Sequence, residues 1–257
     1  MTTAPDADSI HVLHQRIDEL MRQHAGLLSR LQQDQRRSRH LGRSVWRIEE
    51  EARRRIAREL HDGVGQNLVA LMRQVDTIAA ALPDNAAEGR AGLQRLRELA
   101  QLTLDDTRSL SRLLRPQILD DLGLEPALRW LARSVEGLAV ELELDELPAL
   151  DEEVSTLLFR VVQEALSNAA RHSRASRVRV SLGSQTPHWL RLEISDVGRG
   201  CDLARALARG SEGQSSGLGS MRDRIDLFEG KLDLQSSPGK GFNICIELPL
   251  RGVARGE

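Results

Sequence analysis

Apolar residues near the start of the chain recur at the spacing of a helix. Between positions 10 and 31 they follow a heptad, at Ile10, Leu13, Ile17, Leu20, Leu27 and Leu31, with His24 on the same seam. This spacing of three and four residues predicts a coiled coil. The pattern lapses over Gln32–His40, a polar and basic run that we interpret as a solvated helix face or a hinge.

Two longer apolar stripes follow, on either side of a turn. The first begins at Val45 and continues through Ile56, Leu60, Val64, Leu68, Leu71, Val75, Ile78 and Leu82. The second comprises Leu93, Leu96, Ala100, Thr103, Thr107, Leu110 and Leu114 and ends at Pro116. Two amphipathic helices with a short connection predict an antiparallel hairpin. One hairpin cannot bury both stripes, so we predict a homodimer in which two hairpins form a four-helix bundle.

The pattern changes again after Pro116, where alternating segments appear among helical ones. Leu138–Glu146 alternates like a strand, and the segments around Pro187 and Pro238 resemble strand pairs. Strands and helices mix without regular βαβ alternation, which predicts an α+β fold, an α/β sandwich with a mixed or antiparallel sheet. We therefore divide the chain into a helical coiled-coil region (1–44), a dimerising hairpin (45–116) and a third domain (117–252).

Composition narrows the function classes. The chain has 257 residues, a net charge of −2 and only 2% aromatic residues, which predicts no direct binding of nucleic acid. The only cysteines, Cys201 and Cys245, lack the spacing of a metal site or disulfide framework, which fits a reducing cytosol. No apolar run approaches the roughly 20 residues of a membrane span, so we expect a cytoplasmic protein.

The third domain contains a polar strip on a predicted helix. Glu164, Asn168 and His172 are spaced by four residues and share a face, with Arg171 beside them. A carboxylate, an amide oxygen and cations on one strip suit a hydrated magnesium ion and phosphates. An ordinary exposed helix face explains the same spacing, and the strip alone favours that explanation.

Two glycine-containing segments farther along make the strip more informative. Asp196 ends a predicted strand and is followed by Gly198 and Gly200. A carboxylate there can accept a hydrogen bond from an exocyclic amine such as that of adenine, and glycines let the backbone approach a ligand. Gly217 and Gly219 precede a predicted helix, an arrangement typical of anion sites. Each segment alone is weak, but the three in this order form a strong signal.

These segments resemble the nucleotide-binding boxes of a known superfamily. "QEALSNAARH", "DVGRG" and "GLGSMRDR" are similar to the N, G1 and G2 boxes of the GHKL ATPases found in histidine kinases. "RIARELHDGVGQ" resembles the phosphoacceptor box of two-component sensor histidine kinases of the nitrate-sensor and desaturase-thermosensor class, and "LRPQILDDLGLEPALRWL" resembles the junction of that class. The resemblance covers roughly residues 45–250.

The resemblance implies ATP and Mg²⁺ as cofactors and assigns roles to the matching residues. Asn168 would ligate magnesium and Glu164 would position a magnesium-bound water, with Arg171 and His172 near the phosphates. Asp196 would recognise adenine. The pocket-shaping and lid-anchoring residues would be Gly198, Gly200, Gly217, Leu218 and Gly219, with an ATP lid over 208–216. One position departs from the family pattern, since Phe242 stands where a small hydroxyl residue is usual.

The resemblance also makes His61 the phosphoacceptor. Asp62 would orient its ring or accept its proton, and Gln66 would align water for dephosphorylation of the partner. We expect Gly65 to leave His61 uncovered, since a helical side chain leans toward the preceding turn. Gly63 would thin the neighbouring flank in the same way.

The expected activity is that of a histidine protein kinase, with regulator phosphatase activity. The expected partners are a second copy, a response regulator with a helix-turn-helix output domain, and a separate sensor protein docking on the N-terminal heptad. The alternative is a non-catalytic dimeric signalling scaffold with a degenerate nucleotide-binding domain, for which Phe242 is the hint. Another GHKL ATPase, such as a chaperone module, is disfavoured by the hairpin.

Overall fold

The computed structural model describes residues 7–83, 85–186, 188–206 and 217–250. The chain divides into two compact units, Met1–Val45 and Trp46–Glu257. The second unit begins one residue after our first predicted boundary; the three-domain division itself stays a prediction. No helix within the described ranges has the length and apolarity needed to cross a bilayer.

Helix α1 (Ala7–Glu59) continues through residues 32–40 without a break. The polar run there is therefore a solvated helix face and not a hinge. On the preceding heptad, Leu20, Leu27 and Leu31 are about 60% exposed, at 60%, 59% and 65%. The side chains of Ile10, Leu13 and Ile17 lie outside the described part, and the coiled coil stays a prediction.

The helical hairpin contains an irregular turn that the sequence did not predict. After α1 the chain forms a π-helical segment (Leu60–Gly65), then α2 (Gln66–Ala81) and α3 (Ala87–Leu114). The inner face of the hairpin is formed by Ala57, Gly65, Val75, Ala100, Leu104, Thr107 and Ser111. Other members of the predicted stripes remain 42–54% exposed in the single chain: Ile56, Val64, Leu71, Ile78, Leu96 and Leu110.

The third domain is an open sheet covered by helices, as predicted. Its helices are α4 (Gln117–Leu122), α5 (Leu124–Ser134), α6 (Glu152–Asn168) and α7 (Gly217–Leu227), and a π-helical segment (Ala169–Ser173) follows α6. Its strands are β1 (Ala139–Leu144), β2 (Arg177–Thr186), β3 (Trp189–Asp196), β4 (Lys231–Ser236) and β5 (Phe242–Pro249). The strand order is β1-β2-β3-β5-β4. Since β1–β2 is parallel and the other pairs are antiparallel, the sheet is mixed.

One face of this sheet is apolar and buries the helices. Fully buried side chains from α5, α6, α7 and the strands meet there, among them Leu128, Leu157, Phe159, Leu192, Ile225 and Ile246. The opposite face carries cross-strand ion pairs, such as Arg177–Glu141 at 2.9 Å. Burial on one side only matches the alternation of apolar and polar residues in the strands.

A buried ion-pair network joins the hairpin to α6. Arg160 on α6 donates to both carboxylate oxygens of Glu50 on α1, with the shortest contact at 2.7 Å, and to the Leu114 carbonyl at 2.6 Å. Arg115 contacts Glu50 at 3.6 Å and Asp120 at 2.8 Å. Glu50, Arg115 and Arg160 are each at most 6% exposed. We call the four charged residues Glu50, Arg115, Asp120 and Arg160 the interdomain network.

An aromatic contact lies beside this network. The ring of Trp46 on α1 packs edge-on against Phe228, with centroids 5.2 Å apart and planes at 88°. Trp46 is buried at 5% exposure and belongs to the same apolar core as the sheet and its helices. The third domain therefore takes one of its core aromatic residues from the helix that leads to His61.

Candidate nucleotide-binding and phosphoacceptor sites

Helix α6 carries Glu164 and Asn168, the first two residues of the predicted polar strip. It begins at Asp151, whose side chain accepts the Val154 amide at 2.6 Å, and acidic residues follow in its first turn. Its apolar face is locked in the core. At its end the Asn168 side-chain amide donates to Glu164 Oε1 at 3.0 Å, and both residues are half-buried. That bond uses the amide nitrogen and leaves the Asn168 carbonyl oxygen for a ligand.

The helix widens immediately after Asn168. Arg171 and His172 lie in the π-helical segment Ala169–Ser173 and are exposed. The segment ends at Arg174, which adopts the left-handed conformation (φ 57°) that stops a helix. Within this segment the Ser173 hydroxyl donates a hydrogen bond to the Ala169 carbonyl at 2.8 Å. The strip thus continues past the α-helix into a wider turn.

Asp196 ends β3 and faces the same cavity. Its carboxylate accepts the Gly198 amide at 2.7 Å and the backbone amide of Phe242, its partner on β5. Burial raises the pKa of Asp196, and these two amide donors partly offset the rise. A half-buried carboxylate held by two backbone amides is a fixed acceptor for a ligand amine.

Two glycines of the predicted boxes stand at close approaches. A Cβ at Gly217, where α7 begins, would lie 1.7 Å from Glu164 Oε1, so a side chain there would displace the Glu164 carboxylate from its position on the strip. Gly200 has φ +58°, and a Cβ there would lie 2.1 Å from the Ser237 carbonyl oxygen.

These elements enclose one cavity of about 580 Å³, within the range of cofactor sites. Eight of the ten predicted nucleotide-site residues line it: Glu164, Asn168, Arg171, His172, Asp196, Gly200, Gly217 and Leu218. Gly198 supports Asp196 from outside the lining, and Gly219 lies within α7. The predicted lid over 208–216 lies outside the described residues.

The structure adds lining residues that the motifs alone did not single out. Arg199, Cys201 and Ala206 also line the cavity. Arg199 lies inside the "DVGRG" box, so the sequence placed it near the predicted site. The sequence did not indicate that its side chain lines the cavity. Phe242, flagged from the sequence only as a departure, also lines the cavity, and its backbone amide supports Asp196.

The donor set fits ATP with magnesium. An amine acceptor, cations and the glycine-bounded start of a helix all line the same cavity. No group of three or more histidine, cysteine, aspartate or glutamate residues able to hold a metal occurs in the part of the chain described here. A magnesium ion at Asn168 and Glu164 would therefore complete its shell with phosphate and water oxygens.

His61 lies elsewhere, in the π-helical segment Leu60–Gly65 of the hairpin. His61, Asp62 and Gln66 are all exposed, and Gln66 begins α2. His61 lines a separate cleft of about 390 Å³ on the hairpin and its junction. This acceptor cleft shares no lining residue with the nucleotide cavity.

The expectation about the two glycines was wrong for Gly65. Gly65 is buried, and a Cβ there would lie 3.7 Å from Leu104 Cδ1 and 3.6 Å from the Leu60 carbonyl oxygen, with no side-chain atom of His61 within 4 Å. The π turn rotates position 65 into the hairpin instead of over the histidine. A Cβ at Gly63 would meet nothing within 4 Å, so the open side of the segment is at Gly63.

Each of the two sites lies in a region that matches a known family model. Residues 52–119 match the family model described as histidine kinase, and residues 153–252 match that of histidine kinase-, DNA gyrase B- and HSP90-like ATPases. The first match contains the hairpin with His61, and the second contains the nucleotide cavity.

Curated relatives agree across both regions. The signal transduction histidine-protein kinase/phosphatase UhpB of Salmonella typhimurium is 36% identical over 87% of this chain and 44% of its own length. The sensor histidine kinase MctS of Rhizobium johnstonii is 36% identical over 78% of this chain and 44% of its own. DegS of Bacillus subtilis, another histidine-protein kinase/phosphatase, is 33% identical over 81% and 56%. The chain spans about half the length of these relatives, and it belongs to the two-component histidine kinases with a GHKL-type ATPase domain.

Proposed function

We propose that the chain catalyses Mg-ATP-dependent phosphorylation of His61 and transfer of that phosphoryl group to an aspartate of a response regulator. The observation that carries the proposal is the nucleotide cavity. Three segments distant in sequence line one space with Glu164, Asn168, Arg171 and His172, with Asp196, and with the glycine at the start of α7. An exposed histidine on the hairpin supplies the acceptor.

The chain's own residues supply positioning. Asp196 would orient the adenine amine, Arg171 and His172 would lie near the phosphates, and Asn168 with Glu164 would hold the metal, which would screen the charge of the transferred group. A neutral ring nitrogen of His61 attacks the γ-phosphorus as the bond to ADP breaks. Asp62 orients the ring or takes its proton.

The separation of the two cavities constrains how the reaction occurs. Since no residue lines both, the nucleotide must approach His61 by movement of the third domain or reach the His61 of a second copy. Both routes suit a homodimer built on the exposed apolar stripes.

The test is labelling with γ-labelled ATP. Wild type should incorporate acid-labile label, whereas His61→Gln should incorporate none and His188→Gln, a matched change at another exposed histidine, should label normally. Asn168→Ala should lose magnesium-dependent nucleotide binding. Equal labelling of His61→Gln and wild type would refute the assignment.

Further expectations follow from the relatives and the residues. UhpB and DegS are named as kinase/phosphatases, and we extend phosphatase activity to this chain, with Gln66 aligning water. A regulator with a helix-turn-helix output domain and a sensor protein docked on the N-terminal heptad remain the proposed partners. A cytosolic location rests on the free thiols of Cys201 and Cys245.

The scaffold alternative keeps one supporting observation, the aromatic ring of Phe242 on the cavity wall. If that ring blocks the base, the chain should bind no ATP while still dimerising. Calorimetric titration with ATP and magnesium separates the two functions, because measurable binding that is lost in Asp196→Ala excludes the scaffold.

A further inference from the structure

The acceptor cleft is richer in cations than the sequence motifs indicated. Besides His61, its polar lining consists of Asp105, Arg108, Ser111, Arg112, Arg115 and Gln117. Three arginines beside a phosphoacceptor invite the question of which of them is free to bind an anion.

Two contacts fix how α1 and α3 are aligned at this level. The Ser111 hydroxyl donates to the Ala57 carbonyl at 2.9 Å, and a Cβ at Gly65 would lie 3.7 Å from Leu104 Cδ1. The helices are antiparallel, so the point midway between Ala57 and Gly65 faces the point midway between Ser111 and Leu104. His61 therefore stands level with Thr107 and Arg108. Thr107 is buried in the hairpin, whereas Arg108 is exposed and lines the cleft with His61.

The Arg115 guanidinium is already occupied by ion pairs with carboxylates of the chain. It is 4% exposed, and its guanidinium contacts Asp120 at 2.8 Å, Glu152 at 3.3 Å and Glu50 at 3.6 Å. A buried cation in balanced ion pairs has little capacity left for a new anion.

Arg108 and Arg112 differ from Arg115 because they are exposed and make few contacts with carboxylates. The nearest carboxylate of Arg108 is Asp105, at 3.9 Å, with both side chains about half exposed at 49% and 57%. Arg112 donates to the Arg108 carbonyl at 3.0 Å, and no carboxylate of the described residues lies within ion-pair distance of it. Since each guanidinium has five N–H donors, both have most of them unused.

We propose that Arg108 and Arg112 bind the phosphoryl group carried by His61. This inference rests on the proposed function, since it presupposes that His61 is the acceptor. As the ring nitrogen forms its bond to phosphorus, the phosphorus–oxygen bond to ADP breaks, and the proton on the other ring nitrogen stays there or passes to Asp62. The group that results carries two negative charges, which planar guanidinium forks bind by paired N–H···O bonds. On transfer, the N–P bond breaks as the regulator's aspartate oxygen bonds to phosphorus.

The experiment uses the full chain with Arg108→Gln, Arg112→Gln and the double change. Arg95→Gln is the matched control, an exposed arginine on α3 about 20 Å along the axis from Arg108. At a fixed ATP to ADP ratio, the ratio of phosphorylated to free His61 should fall about tenfold for each change in the cleft and stay unchanged for Arg95→Gln. ATP affinity should stay unchanged throughout, because neither arginine lines the nucleotide cavity.

A second measurement, the pH titration of the phosphohistidine, does not depend on how much active enzyme each variant contains. The phosphorus NMR signal of the phosphohistidine should titrate at a higher pH in Arg108→Gln and Arg112→Gln, because adjacent cations favour the dianion. Arg108→Lys keeps the positive charge, so its signal should titrate at a pH between those of wild type and Arg108→Gln. Wild-type labelling that is independent of His61 would refute the proposed function itself. Normal His61 labelling with an unchanged equilibrium and titration in the double variant would overturn only this inference, as would a defect confined to transfer to the regulator.

Discussion

Asp196 shows how one buried side chain makes nucleotide binding depend on pH. Its pKa is raised by burial, so protonation begins at a pH above the ordinary aspartate value of about 3.9. A protonated carboxyl donates where the ligand's amine needs an acceptor. We therefore expect ATP affinity to decline as the pH falls through this raised pKa. Titration calorimetry across the acidic range measures the decline, and Asp196→Ala, with weak binding throughout, should show no such dependence.

The same shift has the opposite sign for stability. Folding disfavours the ionised form, so the contribution of Asp196 is greatest below the unfolded pKa and is lost as the pH rises through the folded pKa. At neutral pH without nucleotide, Asp196→Asn should therefore melt at a higher temperature than wild type. A lower melting temperature for Asp196→Asn would show that its two amide contacts outweigh burial of the charge.

At the level of elements, the acceptor segment and the hairpin interior make different demands on the two glycines. A Cβ at Gly63 meets open space, so Gly63→Ala should stabilise the hairpin by up to about 1 kcal/mol. Gly65 faces Leu104, and Gly65→Leu should destabilise it by about 1–3 kcal/mol through overpacking. Urea unfolding monitored by circular dichroism distinguishes them. Stabilisation by Gly65→Leu would instead support the sequence-based expectation that position 65 lies over His61.

The interdomain network gives a second prediction at this scale. Glu50→Gln leaves Arg160 buried without its carboxylate, which should cost about 3 kcal/mol. Glu49→Gln removes an i, i+4 pair with Arg53 at the surface and only weaker, longer-range attraction to Arg160 and Arg224, so it should cost no more than about 0.5 kcal/mol. Trp46 fluorescence during denaturation reports loss of the contact with Phe228. Equal effects of the two changes would contradict the assigned importance of the buried pair.

For the whole molecule, the exposed apolar stripe predicts self-association. Leu71 and Ile78 are 42% and 46% exposed in the single chain, whereas Val75 between them is buried in the hairpin at 3%. Leu71→Glu with Ile78→Glu should therefore convert a dimer to a folded monomer, while Arg73→Glu on the polar flank should leave the dimer intact. Light scattering measures the mass, and an unchanged mass in the double variant would refute a dimer through this stripe.

The features that were predictable are those with a local cause. Helix and strand periodicities depend on neighbours three, four or two residues away, and the spacing of Glu164 and Asn168 follows from one helix. The pairing of Glu50 with Arg160 joins residues 110 positions apart and leaves no local pattern. Gly65 was misread because an α-helical rotation was applied to a turn that is wider. Arg108 was missed because its significance depends on alignment between two helices.

The π-helical segment at His61 has a consequence for the register of the hairpin. A π turn holds one residue more than the α turn it replaces, while the helices on both sides keep their direction. A chain lacking one residue between Leu60 and Gln66 would continue as plain α-helix with Ala57, Val75 and Leu104 still facing inward. The acceptor box is therefore geometrically equivalent to a single-residue insertion into a continuous packing helix. The exposed histidine and the buried face of the hairpin then occupy different sides of the same turn.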